Sequence, residues 1–167
     1  EFLVCGRCGL SRMAGGFPFR TLSRPAARGR GRAFLWAGMA RTGSGGGFSV
    51  GYDRGVNIFP RFGGQKFARD RREAGEAKDE TRRYLGCDLL ILDDLGSELS
   101  TPFVQSALYT LINTRLTADK RTVISSNLTM DQVRARYTPQ IASRLEGEYR
   151  VLPFYGEDIR LLRKQTL

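Results

Sequence analysis

Cys87-Asp88-Leu89-Leu90-Ile91-Leu92-Asp93-Asp94 decides how this chain is read. Residues 89–92 are apolar without alternation, and the run stops at two carboxylates. A strand with one wet face alternates polar and apolar side chains. An unbroken apolar run of strand length fits a strand buried on both faces, as in a parallel sheet covered by helices. In open parallel sheets ligands bind beyond the carboxyl ends of the strands, which is where Asp93 and Asp94 fall. Two readings divide the pair evenly. Asp93 could hold Mg²⁺ through water and phosphate while Asp94 orients or deprotonates an attacking water. Alternatively, both residues serve only the turn at Gly96.

The sequence on either side completes the pattern. Downstream, Ser100 or Thr101 caps a helix with Pro102 in its first turn, and Val104, Leu108, Leu111 and Ile112 recur at helical spacing up to Leu116. Residues 121–127 form a second buried-type strand ending in Asn127, an amide able to touch phosphate or water, although a turn-forming Asn is the commoner use. Thr129 and Gln132 make a capping box. Thr138-Pro139 opens a helix through Leu145 that carries Arg144, ordinarily a solvated side chain. Residues 149–154 read as a last strand, at or near an edge because of Pro153, and 158–165 as a short terminal helix. Upstream, 48–52 reads as a short strand and 54–84 as helix with interruptions. Strands alternating with helices predict an α/β fold with a mainly parallel sheet.

The chain has 167 residues, enough for one domain with a core that needs no disulfides. Its net charge of +10, from 27 basic and 17 acidic residues, is uneven. Residues 1–50 hold eight arginines, no lysine and one acid, Glu1. The first 47 residues also hold 11 of the 20 glycines and little periodicity. The expected organisation is a poorly ordered Arg/Gly-rich segment over 1–47 and a folded core over 48–167. Such a basic segment suits a polyanionic partner, or forms a solvated arm. Cys5 and Cys8 form a CxxC pair without the second ligand pair a structural zinc needs. Cys87, beside the apolar run, is expected to be a buried small residue. The odd cysteine count, the absence of a membrane-length apolar stretch and the lack of a signal-like apolar segment predict a cytoplasmic location. Glu1, in place of an initiating Met, marks the chain as a fragment or a trimmed product.

Read in order, an apolar strand with Asp-Asp, a helix, a strand ending in Asn and a helix bearing Arg resemble a P-loop ATPase of the AAA+ type. Cys87 to Glu98 resembles the Walker B segment of the DnaC-like helicase loaders and of the related IstB-like transposition helpers. Leu111-Ile112-Asn113-Thr114-Arg115, Ser125-Ser126-Asn127-Leu128-Thr129 and Tyr137 to Leu145 resemble further segments of the same families. The resemblance covers about residues 48–165. It implies a three-layer α/β sandwich, ATP with Mg²⁺ at subunit interfaces, self-assembly and contact with single- or double-stranded DNA. The partner it implies is a replicative helicase or, alternatively, a transposase. Asp93 would hold Mg²⁺, Asp94 would replace the usual catalytic Glu, Asn127 would sense the γ-phosphate, and Arg144 would reach a neighbouring protomer's ATP as an arginine finger.

The phosphate loop departs from this pattern. It should read G-x-x-x-x-G-K-[ST], so that backbone amides cradle phosphate, Lys neutralises it and the hydroxyl binds Mg²⁺. The matching stretch is Ala26-Ala27-Arg28-Gly29-Arg30-Gly31-Arg32-Ala33. Gly29 and Gly31 stand in fitting places, Arg32 stands where Lys belongs and Ala33 where the hydroxyl belongs. Poor ATP binding with little or no hydrolysis is therefore expected, and a non-catalytic remnant becomes a second alternative. The Arg/Gly/Ala bias of the first third is also what a GC-rich coding region gives when read out of frame.

Overall fold

The structure is a computed structural model that describes residues 2–6, 38, 41, 44–67 and 71–153. In chain order its elements are β1 (Phe2–Gly6), β2 (Val50–Arg54), α1 (Gly55–Phe67), α2 (Arg71–Gly86), β3 (Leu89–Leu95), α3 (Pro102–Thr117), β4 (Arg121–Ser126), α4 (Met130–Arg136), α5 (Pro139–Glu148) and β5 (Tyr149–Pro153). The terminal helix expected over 158–165 lies outside the described residues.

The five strands form one sheet in the order β2-β3-β4-β1-β5. β2, β3 and β4 are parallel neighbours, joined by helical crossovers as a parallel pair requires. β1 runs antiparallel to both β4 and β5, so β5 returns to the common sense of the parallel block. The sheet is thus mainly parallel, as expected, with one reversed strand inside it. That strand was not among the expected elements, although Phe2-Leu3-Val4-Cys5 is an apolar run of strand length. β5 lies at the sheet edge, where Pro153, lacking an N–H, is tolerated.

Local chemistry sets the element boundaries. Thr101, and not Ser100, caps α3: its extended backbone (φ −113, ψ 159) lets the side chain accept the Val104 N–H, and Pro102 follows at the first turn. Ser100 instead donates to the Arg136 carbonyl at 2.6 Å. Thr129 and Gln132 form the expected reciprocal box at α4, and Thr138 caps α5 ahead of Pro139. α3 turns Val104, Ala107, Leu108, Leu111 and Ile112 inward. These side chains join Leu90, Leu92, Leu95 and Ile124 of the sheet, Ile58 and Phe59 of α1, and Ile141, Ala142 and Leu145 of α5 in one core. The interrupted helical stretch becomes two packed helices. Gly64 of α1 lies so close to α2 that an added Cβ would sit 2.5 Å from the Ala77 Cβ.

The decisive strand is longer than its apolar run. It begins at Leu89 and continues through Asp93 and Asp94 to Leu95. Cys87 N–H still bonds the Arg83 carbonyl at the end of α2, and Cys87 is buried as expected. The acids therefore lie inside the strand and not beyond it, which shapes the site below.

Candidate functional site

The β3–β4 register slips at the two acids. Leu92 pairs with Ile124 and Leu95 with Ser126, so Asp93 and Asp94 together face the single residue Ser125. This is a β-bulge, a device that re-aims side chains where a ladder is interrupted. Asp94 takes a left-handed backbone (φ 59), a conformation Asp tolerates better than most residues. Ser125 fills the gap in the ladder. Its hydroxyl accepts the Asp94 N–H at 2.9 Å and donates to Asp93 Oδ1 at 2.5 Å. The other Asp93 oxygen, Oδ2, accepts the Tyr52 phenol of β2 at 3.0 Å. Asn127, just past the end of β4, donates from Nδ2 to Asp94 Oδ1 at 3.3 Å. Burial raises the Tyr52 pKa, as do its hydrogen bond to Asp93 and that carboxylate's charge, so the phenol stays a proton donor at neutral pH.

The turn that follows is built separately. The Asp94 carbonyl, not its side chain, accepts Ser97 N–H and Ser97 Oγ–H, at 3.3 and 2.8 Å. Gly96 (φ 104) supplies the positive φ, and an added Cβ there would meet Leu128 at 2.6 Å. The Asp94 side chain is therefore not consumed in turn formation. Glu98, only 6% exposed, anchors the far side. Its carboxylate accepts the Gly96 N–H at 3.0 Å and the Tyr137 phenol, while its backbone carbonyl accepts the Arg136 guanidinium. The turn is thereby fastened to α4 and to the start of α5. Burial, followed by the Glu98 hydrogen bond and charge, pushes the Tyr137 pKa far upward.

Asp93, Asp94 and Asn127 are thus brought together at the carboxyl edge of two adjacent parallel strands. Arg144 projects from the exposed side of α5, opposite the buried Ile141, Ala142 and Leu145. Gly29, Gly31, Arg32 and Ala33 lie outside the described residues, as does Cys8. Tyr52 and Ser125 escaped the sequence reading. Ser125 stood within a quoted motif, but only the register slip reveals that its hydroxyl serves both acids.

The donor set fits a hard divalent cation. Both acids are half-buried, and among the described residues neither forms a salt bridge. Among the same residues no three His, Cys, Asp or Glu side chains converge. One or two carboxylates, with the remaining ligands from water and phosphate, are what Mg²⁺ commonly takes at a nucleotide. No helix among the described residues is long and apolar enough to cross a membrane.

Comparison with protein-family models and with curated proteins finds no match. Solved structures do match. The chain superposes on a DNA replication initiation factor with a TM-score of 0.55 and 18% identity, over 76% of this chain and 37% of that one. It superposes on AMPPCP-bound DnaA from Aquifex aeolicus with a TM-score of 0.54 and 20% identity, over 82% and 42%. A third match is the replication initiator DnaA bound to AMPPCP and single-stranded DNA, with a TM-score of 0.51 and 20% identity over 65% and 32%. The chain spans about two fifths or less of the length of these structures. The expected α/β class, with helices packed on a sheet whose core strands β2, β3 and β4 are parallel, is the observed one, and the fold is shared with these replication proteins.

Proposed function

We propose that this chain is the ATPase module of a DNA replication protein that loads or remodels a replicative helicase. The observation that carries the reading is the convergence of Asp93, Asp94, Ser125 and Asn127 at the carboxyl edge of β3 and β4. Likeness of fold to replication proteins bound to a nucleotide analogue and to single-stranded DNA supports it. Asp93 would hold Mg²⁺, with Ser125 fixing the carboxylate. Mg²⁺ when bound neutralises charge on the β- and γ-phosphates. Asp94 would accept a proton from, or orient, a water that Asn127 also contacts. Arg144, exposed on α5, would serve the nucleotide of a neighbouring copy, which makes self-assembly part of the function.

The phosphate loop sets the expected level of activity. Arg32 keeps the charge of the usual Lys with a different shape, and Ala33 removes a metal-binding hydroxyl. Lost contacts worth roughly 1.5–3 kcal/mol each weaken Mg·ATP binding by several kcal/mol. The expected outcome is an affinity well above the low-micromolar range and slow turnover, with both reduced further by Asp93→Asn. Low-micromolar binding with brisk turnover would refute the attenuated site. A wild-type affinity unchanged by Asp93→Asn would refute the Mg²⁺ role. Co-purification with a helicase supports the loader assignment, whereas co-purification with a transposase replaces it by the IstB-like one. The remnant reading draws support from the reversed β1, and absence of both Mg·ATP binding and turnover, with and without DNA, would favour it over an attenuated ATPase.

A further inference from the structure

Both oxygens of the Asp93 carboxylate are occupied, and in different ways. Oδ1 accepts the Ser125 hydroxyl at 2.5 Å. That hydroxyl also accepts the Asp94 N–H, which closes the bulge, so Ser125 is held by the backbone of the strand it serves. Ser125 itself is buried, at 2% exposure. Oδ2 accepts the Tyr52 phenol at 3.0 Å. Tyr52 stands on the neighbouring strand and is 46% exposed. One donor is built into the strand, and the other is a half-solvated ring on a rotatable side chain. Oδ2 is therefore the oxygen whose hydrogen-bond partner can move while Ser125 and the bulge stay in place, and that partner is Tyr52.

We propose that Tyr52 is a positioning residue of the cation site, a latch that occupies Asp93 Oδ2 in the cation-free protein and must swing away for a divalent ion to bind. The proposal rests on the Mg²⁺ reading of Asp93. The latch compensates the carboxylate while no cation is present, since an ionised acid with an unpaired oxygen is costly in a half-buried place. It also lowers cation affinity, because each binding event first breaks a hydrogen bond to a charged acceptor. The phenol tip is the only part involved. The ring and its packing survive in Tyr52→Phe.

The test is Mn²⁺ binding to the full chain, read from the free-ion EPR signal, for the wild type, Tyr52→Phe, Tyr52→Leu and Asp93→Asn. Removing the latch should tighten binding about five- to tenfold in both Tyr52 variants, and Asp93→Asn should abolish it. A second readout is ¹⁹F NMR of protein carrying 3-fluorotyrosine. Saturating Mg²⁺ should shift the resonance missing from Tyr52→Phe, and that shift should be absent in Asp93→Asn. Equal or weaker Mn²⁺ binding by both Tyr52 variants, with the wild type still binding through Asp93, overturns the latch and leaves the site standing. Failure of the wild type and both Tyr52 variants to bind Mn²⁺ overturns the cation site and the latch with it.

Discussion

Arg115 is fully buried and forms no salt bridge among the described residues. Its guanidinium instead gathers carbonyls. Nη1 donates to Tyr84 O, Leu85 O and Cys87 O at 2.7, 3.2 and 3.0 Å, Nη2 to Arg121 O at 2.6 Å, and Nε to Thr122 Oγ1 at 2.9 Å. The first of these are orphan carbonyls at the end of α2, where a cation also complements the helix dipole. Burial lowers the Arg115 pKa, with Cys87 acting in the opposite direction, but a guanidinium keeps its proton in proteins. One side chain at the end of α3 thus ties α2 to the start of β4. Arg115→Met should destabilise the fold by about 3–5 kcal/mol, because the carbonyls are left buried and unpaired. Arg115→Lys should recover little, since a point ammonium cannot span the two sets of acceptors. Urea unfolding reads both variants, and a loss under about 1 kcal/mol in Arg115→Met would show that water replaces the guanidinium. The sequence exposed Arg115 only as part of a motif. An Arg in the last turn of a helix ordinarily points to solvent, and nothing local announces that α2 will end against it. Ser125 and Tyr52 were hidden for the same reason: their roles depend on register between strands distant in sequence.

At the scale of elements, far more was legible. The caps Thr101, Thr129 and Thr138 and the prolines behind two of them are local signals, and the helices start where those signals stand. The buried-type runs became β3 and β4 because strands covered on both faces have few alternatives. The end of β3 was not legible, because a bulge is chosen by the partner strand. The tie between β2 and β3 also needed coordinates. Asp88 accepts Ser49 N–H and Ser49 Oγ–H at 3.0 and 2.7 Å and the Lys120 ammonium at 2.9 Å, which joins the approaches to β2, β3 and β4. The Lys120 hydrogen bond, followed by those from Ser49, holds the Asp88 carboxyl well below its ordinary range. A depressed folded-state pKa gives stability that is present above the unfolded value of about 3.9 and is lost as pH falls through the folded value. Asp88→Asn should therefore lower Tm at neutral pH and flatten its decline below about pH 4. Thermal melts from pH 7 to pH 2 check this. A wild-type and variant pair whose melting curves stay parallel throughout would show that Asp88 is not the group lost.

At the scale of the molecule, the sense of β1 governs what the carboxyl edge can hold. A phosphate loop follows directly on its strand, so that strand must deliver its carboxyl end to the edge where Asp93 and Asn127 lie. β1 does the opposite. Phe2 pairs with Ser126 at that edge, and Gly6 pairs with Tyr149 at the far one. The chain therefore leaves β1 on the side away from the acids, and β1 is not the strand of a phosphate loop. The composition of residues 1–47 fits this arrangement, because it lacks a Lys and has no apolar strand signal immediately before the stretch 26–33. The reversal is testable through register. Cys5 lies opposite Val123 and Phe2 opposite Ser126, and directly paired residues of antiparallel strands have Cβ atoms about 4.5–5.5 Å apart, near disulfide range. In a Cys8→Ser background, Val123→Cys should oxidise to a bond with Cys5 that peptide mapping identifies, while Ser126→Cys should not. A strand of the other sense would carry Cys5 toward Ser126 and invert the result. That inversion would restore a carboxyl end of β1 to the acidic edge.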